Sequence, residues 1–164
     1  MIVKASVLVA ALCAQIAAPQ SPQPLPKFED FPASEVFKGP PAIPILRTKL
    51  QRTYRTMIRD AAKDGPNFAG RYTIASAGCG SGCVVNALVD EKTGQVFDFP
   101  FDHLALAPVT QSADSAEPDL ESYKLNSRLL IVRGCPQEKN CATYFYEWTG
   151  TQFKLLRKTA LVSR

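Results

Sequence analysis

Two stretches of the chain, residues 71–99 and 127–155, carry cysteines and turn residues in the same order. In each, a first strand ends at Gly-Cys, a short loop leads to a second cysteine, and a Thr-Gly turn reverses the chain again. Glycine-containing short loops favour hairpins, because glycine adopts positive φ without steric cost. Each stretch is therefore predicted to form a three-stranded meander, with chance similarity of two hairpin pairs as the alternative. The matched pairs are Gly78 and Gly134, Cys79 and Cys135, Glu91 and Glu147, Thr93 and Thr149, Gly94 and Gly150, and Phe97 and Phe153.

The loop between the cysteines is two residues longer in the second stretch. The shared spacing of the flanking residues predicts that the strand after this loop is two residues shorter, which keeps the meanders in register. Tyr144, Tyr146 and Trp148 alternate with other residues as strand positions do. The expected fold class is α+β: one N-terminal amphipathic helix packed on about six antiparallel strands, arranged as two similar three-stranded meanders in a sheet, sandwich or partial barrel.

The helix is predicted to run from Pro44 to Lys63. Proline is favourable in the first turn of a helix, and Gly65 followed by Pro66 would end it. Apolar residues recur three or four positions apart and would form the face that packs on the sheet. These residues are Leu46, Leu50, Tyr54, Met57, Ile58 and Ala61.

A second stripe of the same segment is basic and consists of Arg52, Arg55, Arg59 and Lys63. We expect it to be either a surface for an anion, such as a phosphate, a lipid headgroup or an acidic protein face, or a solvated face that favours the helix C-terminus. The net charge of +4 is mild, and no aromatic residues alternate with the basic ones. Binding to nucleic acid is therefore not expected.

Residues 1–18 have the pattern of a secretory signal peptide, with Lys4 before an apolar stretch. Pro19 and polar residues follow too soon for a transmembrane helix, so no transmembrane segment is expected after signal removal. Cys13 would leave with the signal, and lipid attachment to Cys13 is the alternative. The periplasm, or secretion from the cell, is the expected location.

Residues 19–43 are rich in proline and are predicted to be a linker, free to about Pro26 and docked on the folded domain beyond it. Residues 44–164 are expected to form one domain, because two cores would each be close to the lower size limit for independent folding. The internal repeat lies within this domain.

Four cysteines remain after Cys13, an even number that predicts two disulfides in an oxidising compartment. Neighbouring strands of a hairpin lie within disulfide distance, which favours the local pairs Cys79–Cys83 and Cys135–Cys141 and leaves cross-pairing open. The loops that these pairs would close are the candidate binding loops, since a fixed loop suits recognition. Their candidate contact residues are Gly80, Ser81, Gly82, Gln137, Glu138 and Lys139.

Metal or redox chemistry is an alternative use of the first cysteine pair. Two thiolates spaced C-x3-C suit Cu(I), and the spacing is similar to the copper-binding motif of the Sco copper-delivery family, whose third ligand is a histidine. His103, the single histidine, would complete a site with Cys79 and Cys83. The thioredoxin-like fold of that family differs from the strand-rich fold expected here. Apart from copper, no cofactor is expected.

No catalytic residue is assigned. His103 follows Asp102 directly, but adjacency in sequence does not make a catalytic pair, and no serine lies in a G-x-S-x-G turn. An envelope hydrolase is therefore the third hypothesis, after a binding domain and a copper carrier. The acidic run lacks the residue order of a calcium loop and is interpreted as solvated. It comprises Asp114, Glu117, Asp119 and Glu121.

Three segments resemble a group of small exported bacterial proteins: GPNFAG at 65–70, GCGSGC at 78–83 and NSRLL at 126–130. The resemblance spans about residues 44–157 and implies a bacterial envelope setting. The group has no assigned function, so it implies no chemistry. The expected function is a non-catalytic envelope domain that binds a protein or small ligand through its disulfide-closed loops.

Overall fold

The computed structural model describes residues 24–105 and 121–161. Between residues 24 and 48, the structure contains one 3-10 turn, Phe28–Asp30. Two helices and eight strands follow. They are α1 (Lys49–Thr53), α2 (Arg55–Lys63), β1 (Tyr72–Gly80), β2 (Cys83–Asp90), β3 (Val96–Asp98), β4 (Leu104–Ala105), β5 (Glu121–Tyr123), β6 (Leu129–Pro136), β7 (Ala142–Trp148) and β8 (Phe153–Thr159).

The strands form an 8-stranded sheet with the order β1-β2-β4-β6-β7-β8, in which β3 also pairs with β2 and β5 with β6. All these pairings are antiparallel. The prediction of an α+β domain dominated by antiparallel strands is confirmed. The two-residue strand β4 joins a first strand group, β1–β3, to a second strand group, β5–β8, and no sequence pattern predicts this link.

The prediction of one helix from Pro44 to Lys63 is wrong in its start and in its continuity. The helix begins after Thr48, whose side-chain oxygen accepts a hydrogen bond from the backbone N–H of Gln51 at 3.2 Å. This N-cap fixes the start, because it satisfies a backbone donor that would otherwise lack a partner. Tyr54, at φ −97° and ψ 24°, separates α1 from α2.

The inner faces of the two strand groups pack on each other around an aromatic core. The Trp148 ring lies 5.3 Å from that of Tyr72 and 5.0 Å from that of Phe97, in edge-to-face contacts. Such contacts add to the free energy gained by burying apolar surface. A second cluster packs the α2 residues Ile58 and Ala62 on the outer face of the first group. Other members of the main core are Phe68, Ile74, Leu88, Leu104, Leu130, Val132, Tyr144 and Tyr146.

The described part of the proline-rich segment lies against the domain. Pro32 forms a β-bridge with Ser127, and the Ser127 hydroxyl donates to the carbonyl oxygen of Phe28 at 2.8 Å. The backbone N–H of Phe37 donates to the carbonyl oxygen of Gly70 at 2.9 Å. These contacts hold the stretch from Phe28 to Phe37 against the domain. The predicted signal peptide and Cys13 lie outside the described residues.

The strand pairing differs from the register that the sequence repeat predicts. Asp90 is followed by four turn residues before the strand returns at Gln95, and Thr93-Gly94 ends that turn. Trp148 pairs with Phe153 across the next hairpin, and Thr149-Gly150 begins the turn there. The strand after the second cysteine is therefore not shortened by two residues. Both turns contain four residues, so the two-residue difference appears as a shift of the matched Thr-Gly pair within the turn.

Candidate functional site

Both predicted local disulfides are present. Cys79 and Cys83 are joined with a Cα–Cα distance of 5.2 Å, and Cys135 and Cys141 with a distance of 4.0 Å. Each bond closes the hairpin loop at the end of two paired strands, β1 and β2 or β6 and β7. Cross-pairing between the two halves does not occur.

Strand β4 brings the two disulfide-closed loops together at one end of the sheet. Ala105 pairs with Cys83 on one side and with Cys135 on the other. Adjacent strands lie about 4.8 Å apart, so these two cysteines are separated by about 10 Å at Cα. Loops 80–82 and 136–140 consequently form one surface, which we call the loop end.

The longer loop has an unusual backbone that is fixed by hydrogen bonds. Gln137, Glu138 and Asn140 have φ values of 51°, 59° and 52°, in the left-handed region that favours glycine. Non-glycine residues in this region carry strain, and such residues concentrate at functional sites. The loop is held to the residue just before β4, because the backbone N–H of Gln137 donates to the carbonyl oxygen of His103 at 3.0 Å.

Further bonds brace the same loop from within. The backbone N–H of Glu138 donates to the carbonyl oxygen of Cys135, and that of Lys139 to the carbonyl oxygen of Pro136, each at 3.0 Å. The Tyr144 hydroxyl donates to the carbonyl oxygen of Asn140. The side chains at the tip remain exposed to solvent. The loop end therefore presents polar side chains on a rigid frame, which is what recognition of a partner requires.

The structure brings together five of the six predicted contact residues as exposed positions. Gly80, Ser81, Gln137, Glu138 and Lys139 are exposed, whereas Gly82 is half-buried. Ser81, Gln137, Glu138 and Lys139 supply a hydroxyl, an amide, a carboxylate and an ammonium group. This set suits hydrogen bonding and ion pairing with a polar partner surface.

The alternative copper site has its sulfur atoms in a disulfide. Cys79 and Cys83 are bonded to each other, so they would have to be reduced before they could bind Cu(I) as thiolates. His103 lies two residues before Ala105, the β4 residue that pairs with Cys83. No group of three or more His, Cys, Asp or Glu side chains in the described part of the chain is arranged to hold a metal ion. Copper binding stays a prediction.

A row of polar side chains runs through the inner face of the sheet, away from the loop end. The Ser76 hydroxyl on β1 donates to the side-chain oxygen of Asn86 on β2 at 2.6 Å. The Asn86 amide donates in turn to the carboxyl group of Glu121 on β5. Asn86 is 3% exposed. The row therefore connects both strand groups through a chain of hydrogen bonds that leads from the exposed Ser76 to the buried Asn86 and on to Glu121.

Glu121 was expected to belong to a solvated acidic loop, and that interpretation is wrong for this residue. Burial raises its pKa from 4.5 to about 7, although the hydrogen bond from Asn86 acts in the opposite direction. Burial also raises the pKa of Tyr123, and the charge of Glu121 adds to that effect. Asp114, Glu117 and Asp119 lie outside the described residues. Glu121 can therefore gain or lose a proton near neutral pH.

One signal in the sequence points to this polar row. Asn86 interrupts the apolar run VVNALV, and a polar residue inside a buried strand needs a partner. Its partner Glu121 could not have been found in this way, because the two residues are far apart in the chain. Only the arrangement of β5 beside β6 brings the carboxyl group to Asn86.

The predicted basic stripe lies on the exposed side of the two helices. Arg52, Arg55, Arg59 and Lys63 are all exposed. Lys63 forms an ion pair with Asp60 at 2.6 Å, so the stripe is partly neutralised at its C-terminal end. An exposed pair of this kind contributes little to stability. The N-terminal part of the stripe remains the more positive part.

The chain matches no protein-family model, no curated protein and no solved structure. Within residues 24–105 and 121–161, no helix is long and apolar enough to span a bilayer.

Proposed function

We propose that the protein is an exported protein of the bacterial envelope, periplasmic or secreted, that binds a protein or a small ligand through its loop end. One observation carries the proposal: Ala105 pairs with both Cys83 and Cys135 and so places the two closed loops side by side. A binding surface benefits from this rigidity, because little conformational entropy is lost when a partner docks.

The export part of the proposal is supported by the disulfides and by the N-terminal sequence. Disulfides persist in oxidising compartments and are rare in the cytosol. The apolar segment after Lys4 has the pattern of a signal peptide. The two observations are independent and favour the same location.

We also propose that the two strand groups are copies of one three-stranded unit. Each has three consecutive antiparallel strands, and each has its disulfide at the same hairpin. The Thr-Gly pair lies at different positions in the two turns. This is expected if the loop between the cysteines lengthened in one copy. The whole of residues 44–164 would then be one domain built from a repeat.

The binding proposal is tested by site-specific photo-crosslinking in the native envelope. A photoreactive residue is placed at Ser81, at Lys139, or at Thr151 as the control, since Thr151 is exposed in the turn at the opposite end of β7. Adducts are measured by intact mass, which detects a small ligand as well as a protein. We expect the same adduct from Ser81 and Lys139 and none from Thr151. No adduct from either loop, or an identical adduct from all three positions, would contradict the proposal.

A further inference from the structure

The segment before α1 forms an exposed ridge on the surface. From Pro41 to Lys49, odd-numbered residues are exposed while even-numbered residues are buried or half-buried, so the two sides of the segment alternate. Ile43 is 81% exposed and Ile45 is 49% exposed, which makes them two of the four large apolar side chains most open to water in the described chain. We call the exposed side the ridge. Its residues are Pro41, Ile43, Ile45, Arg47 and Lys49.

The ridge is held in a fixed position against the β2–β3 turn. The backbone N–H of Ala42 donates to the carbonyl oxygen of Glu91 at 2.8 Å, and that of Ile45 donates to the carbonyl oxygen of Gly94 at 2.7 Å. Gly94 allows this contact, because a Cβ atom there would lie 2.3 Å from the carbonyl oxygen of Ile43. The exposed isoleucines are therefore not part of a free linker. The fold presents them to the outside.

The ridge changes from apolar to basic along its length. Arg47 and Lys49 follow the two isoleucines on the same side, and the guanidinium group of Arg52 donates to the carbonyl oxygen of Arg47 at 2.7 Å. Between Glu35 and Asp60 the sequence contains no acidic residue. Over the same stretch the basic residues are Lys38, Arg47, Lys49, Arg52, Arg55 and Arg59.

We propose that the ridge docks the protein on the surface of a bilayer that contains anionic lipids. Ile43 and Ile45 would enter the headgroup region, while Arg47, Lys49 and Arg52 would contact lipid phosphates. Exposed aliphatic side chains next to basic residues are the pattern of a peripheral membrane surface, since apolar burial and charge attraction act together. A soluble anion would use the basic groups alone and would leave the isoleucines in water.

The position of the ridge gives this docking a consequence for the loop end. The ridge lies at the turn after Asp90, and the first disulfide lies at Cys83, at the other end of β2. A strand of this length spans about 23 Å. A protein docked through the ridge would therefore hold its loop end away from the bilayer, free to meet a partner in the aqueous space.

The test is flotation of the purified protein with two kinds of vesicle. One contains phosphatidylcholine alone, and the other also contains ~30% phosphatidylglycerol, which gives the vesicle a clear negative surface charge. Two double variants address the two parts of the ridge: Ile43→Ser with Ile45→Ser, and Arg47→Gln with Lys49→Gln. Leu155→Ser is the matched control for the apolar change, because Leu155 on β8 is 49% exposed, as Ile45 is. Lys154→Gln on the same strand is the control for charge.

We expect the unchanged protein to float with the anionic vesicles, and both ridge variants to lose at least about tenfold in partition coefficient. The two β8 controls should bind as the unchanged protein does. Inorganic phosphate at ~10 mM, which would saturate a site of millimolar affinity, should not displace the protein from the vesicles. Circular dichroism and thermal unfolding verify that each variant is folded.

Four results would overturn the proposal. They are absence of binding to anionic vesicles, full binding by the isoleucine variant, equal loss in the Leu155→Ser control, and displacement by inorganic phosphate. The last result would assign the basic residues to a soluble anion. Full binding by the isoleucine variant would show that the ridge acts through its charge alone. An acidic surface of a protein could then bind it as well as a bilayer does.

Discussion

The side-chain amide of Asn86 donates a hydrogen bond to the carboxyl group of Glu121, and this bond joins the first strand group to the second inside the domain. Glu121 lies on β5 and Asn86 on β2, two strands that do not pair with each other in the described sheet. The contact makes the stability of the domain depend on the protonation of one carboxyl group.

The raised pKa of Glu121 predicts a specific pH dependence of the free energy of unfolding. Its pKa is about 7 in the folded protein, against the reference value of 4.5 that applies to the unfolded chain. Between pH 4.5 and about 7, the folded state therefore binds more protons than the unfolded state. The free energy of unfolding should therefore fall as pH rises from about 4.5 to about 7, by up to about 3 kcal/mol. Glu121→Gln should remove this contribution and be more stable than the unchanged protein at pH 8. Urea unfolding at a series of pH values measures both effects.

The same titration contains its own control. Glutamine at 121 keeps an oxygen that can accept the hydrogen bond from Asn86, so only the ionisation is lost. If the stability difference between the two proteins were the same at pH 4 and pH 8, Glu121 would not be the group responsible.

Removal of either disulfide should lower the free energy of unfolding by a modest amount. The loops that the bonds close are short, and the chain-entropy relation gives about 2 kcal/mol for each. Cys135→Ser with Cys141→Ser should cost more than Cys79→Ser with Cys83→Ser, because Cys135 is 4% exposed and a serine there would bury a hydroxyl group. Urea unfolding of both double variants gives the order. The reverse order would show that burial at Cys135 is not decisive.

Gly94 and Gly150, which match in the sequence repeat, should respond differently to alanine. Both have positive φ, 73° and 98°, so each substitution introduces backbone strain of about 1–2 kcal/mol. A Cβ atom at Gly94 would also lie 2.3 Å from the carbonyl oxygen of Ile43, whereas nothing lies within 4 Å of one at Gly150. Gly94→Ala should therefore lower the free energy of unfolding by at least about 1 kcal/mol more than Gly150→Ala does, as urea unfolding of both variants would measure.

Hydrogen exchange locates the origin of that difference. Gly94→Ala should speed exchange of the Ile45 backbone N–H, which donates to the carbonyl oxygen of Gly94, and Gly150→Ala should not. Equal exchange at Ile45 in both variants would mean that the position of the ridge does not depend on Gly94.

Ser127 should anchor the N-terminal segment. Its hydroxyl lies 2.8 Å from the carbonyl oxygen of Phe28 and accepts a bond from the Leu129 backbone N–H at 3.2 Å, and the residue is 1% exposed. Ser127→Ala removes the donor to Phe28, whose carbonyl oxygen keeps the Phe31 N–H, and removes the acceptor of the Leu129 N–H, so it should cost about 1–3 kcal/mol. Limited proteolysis should then cut the segment around Phe28 faster. Ser34→Ala, at an exposed position, should change neither property.

The parts of the fold that the sequence predicts are those set by near neighbours. Glycine and cysteine at the strand ends favour hairpins, and hairpin geometry favours the local pairs Cys79–Cys83 and Cys135–Cys141 that the structure contains. The basic stripe is likewise a local pattern. These features need no knowledge of how distant segments meet.

The parts that the sequence does not predict depend on contacts between distant residues. Leu104 and Ala105 form a strand only because partners lie on both sides, so their own sequence carries little signal. The sequence places the helix start too early, because Leu46 continues the apolar spacing of the helix, whereas the preceding Ile45 bonds to the turn at Gly94 instead. Local periodicity cannot reveal a competing partner that is remote in the chain.

The measurement that most directly tests the central claim is the state of the four cysteines in protein trapped with an alkylating reagent in the envelope. Intact mass before and after reduction counts the free thiols, and mapping of the peptides identifies the pairs. We predict no alkylation of the four and the pairs Cys79–Cys83 and Cys135–Cys141. Readily alkylated Cys79 and Cys83 would contradict the closed loop end, and Cu(I) titration of the unchanged protein and His103→Ala would then follow.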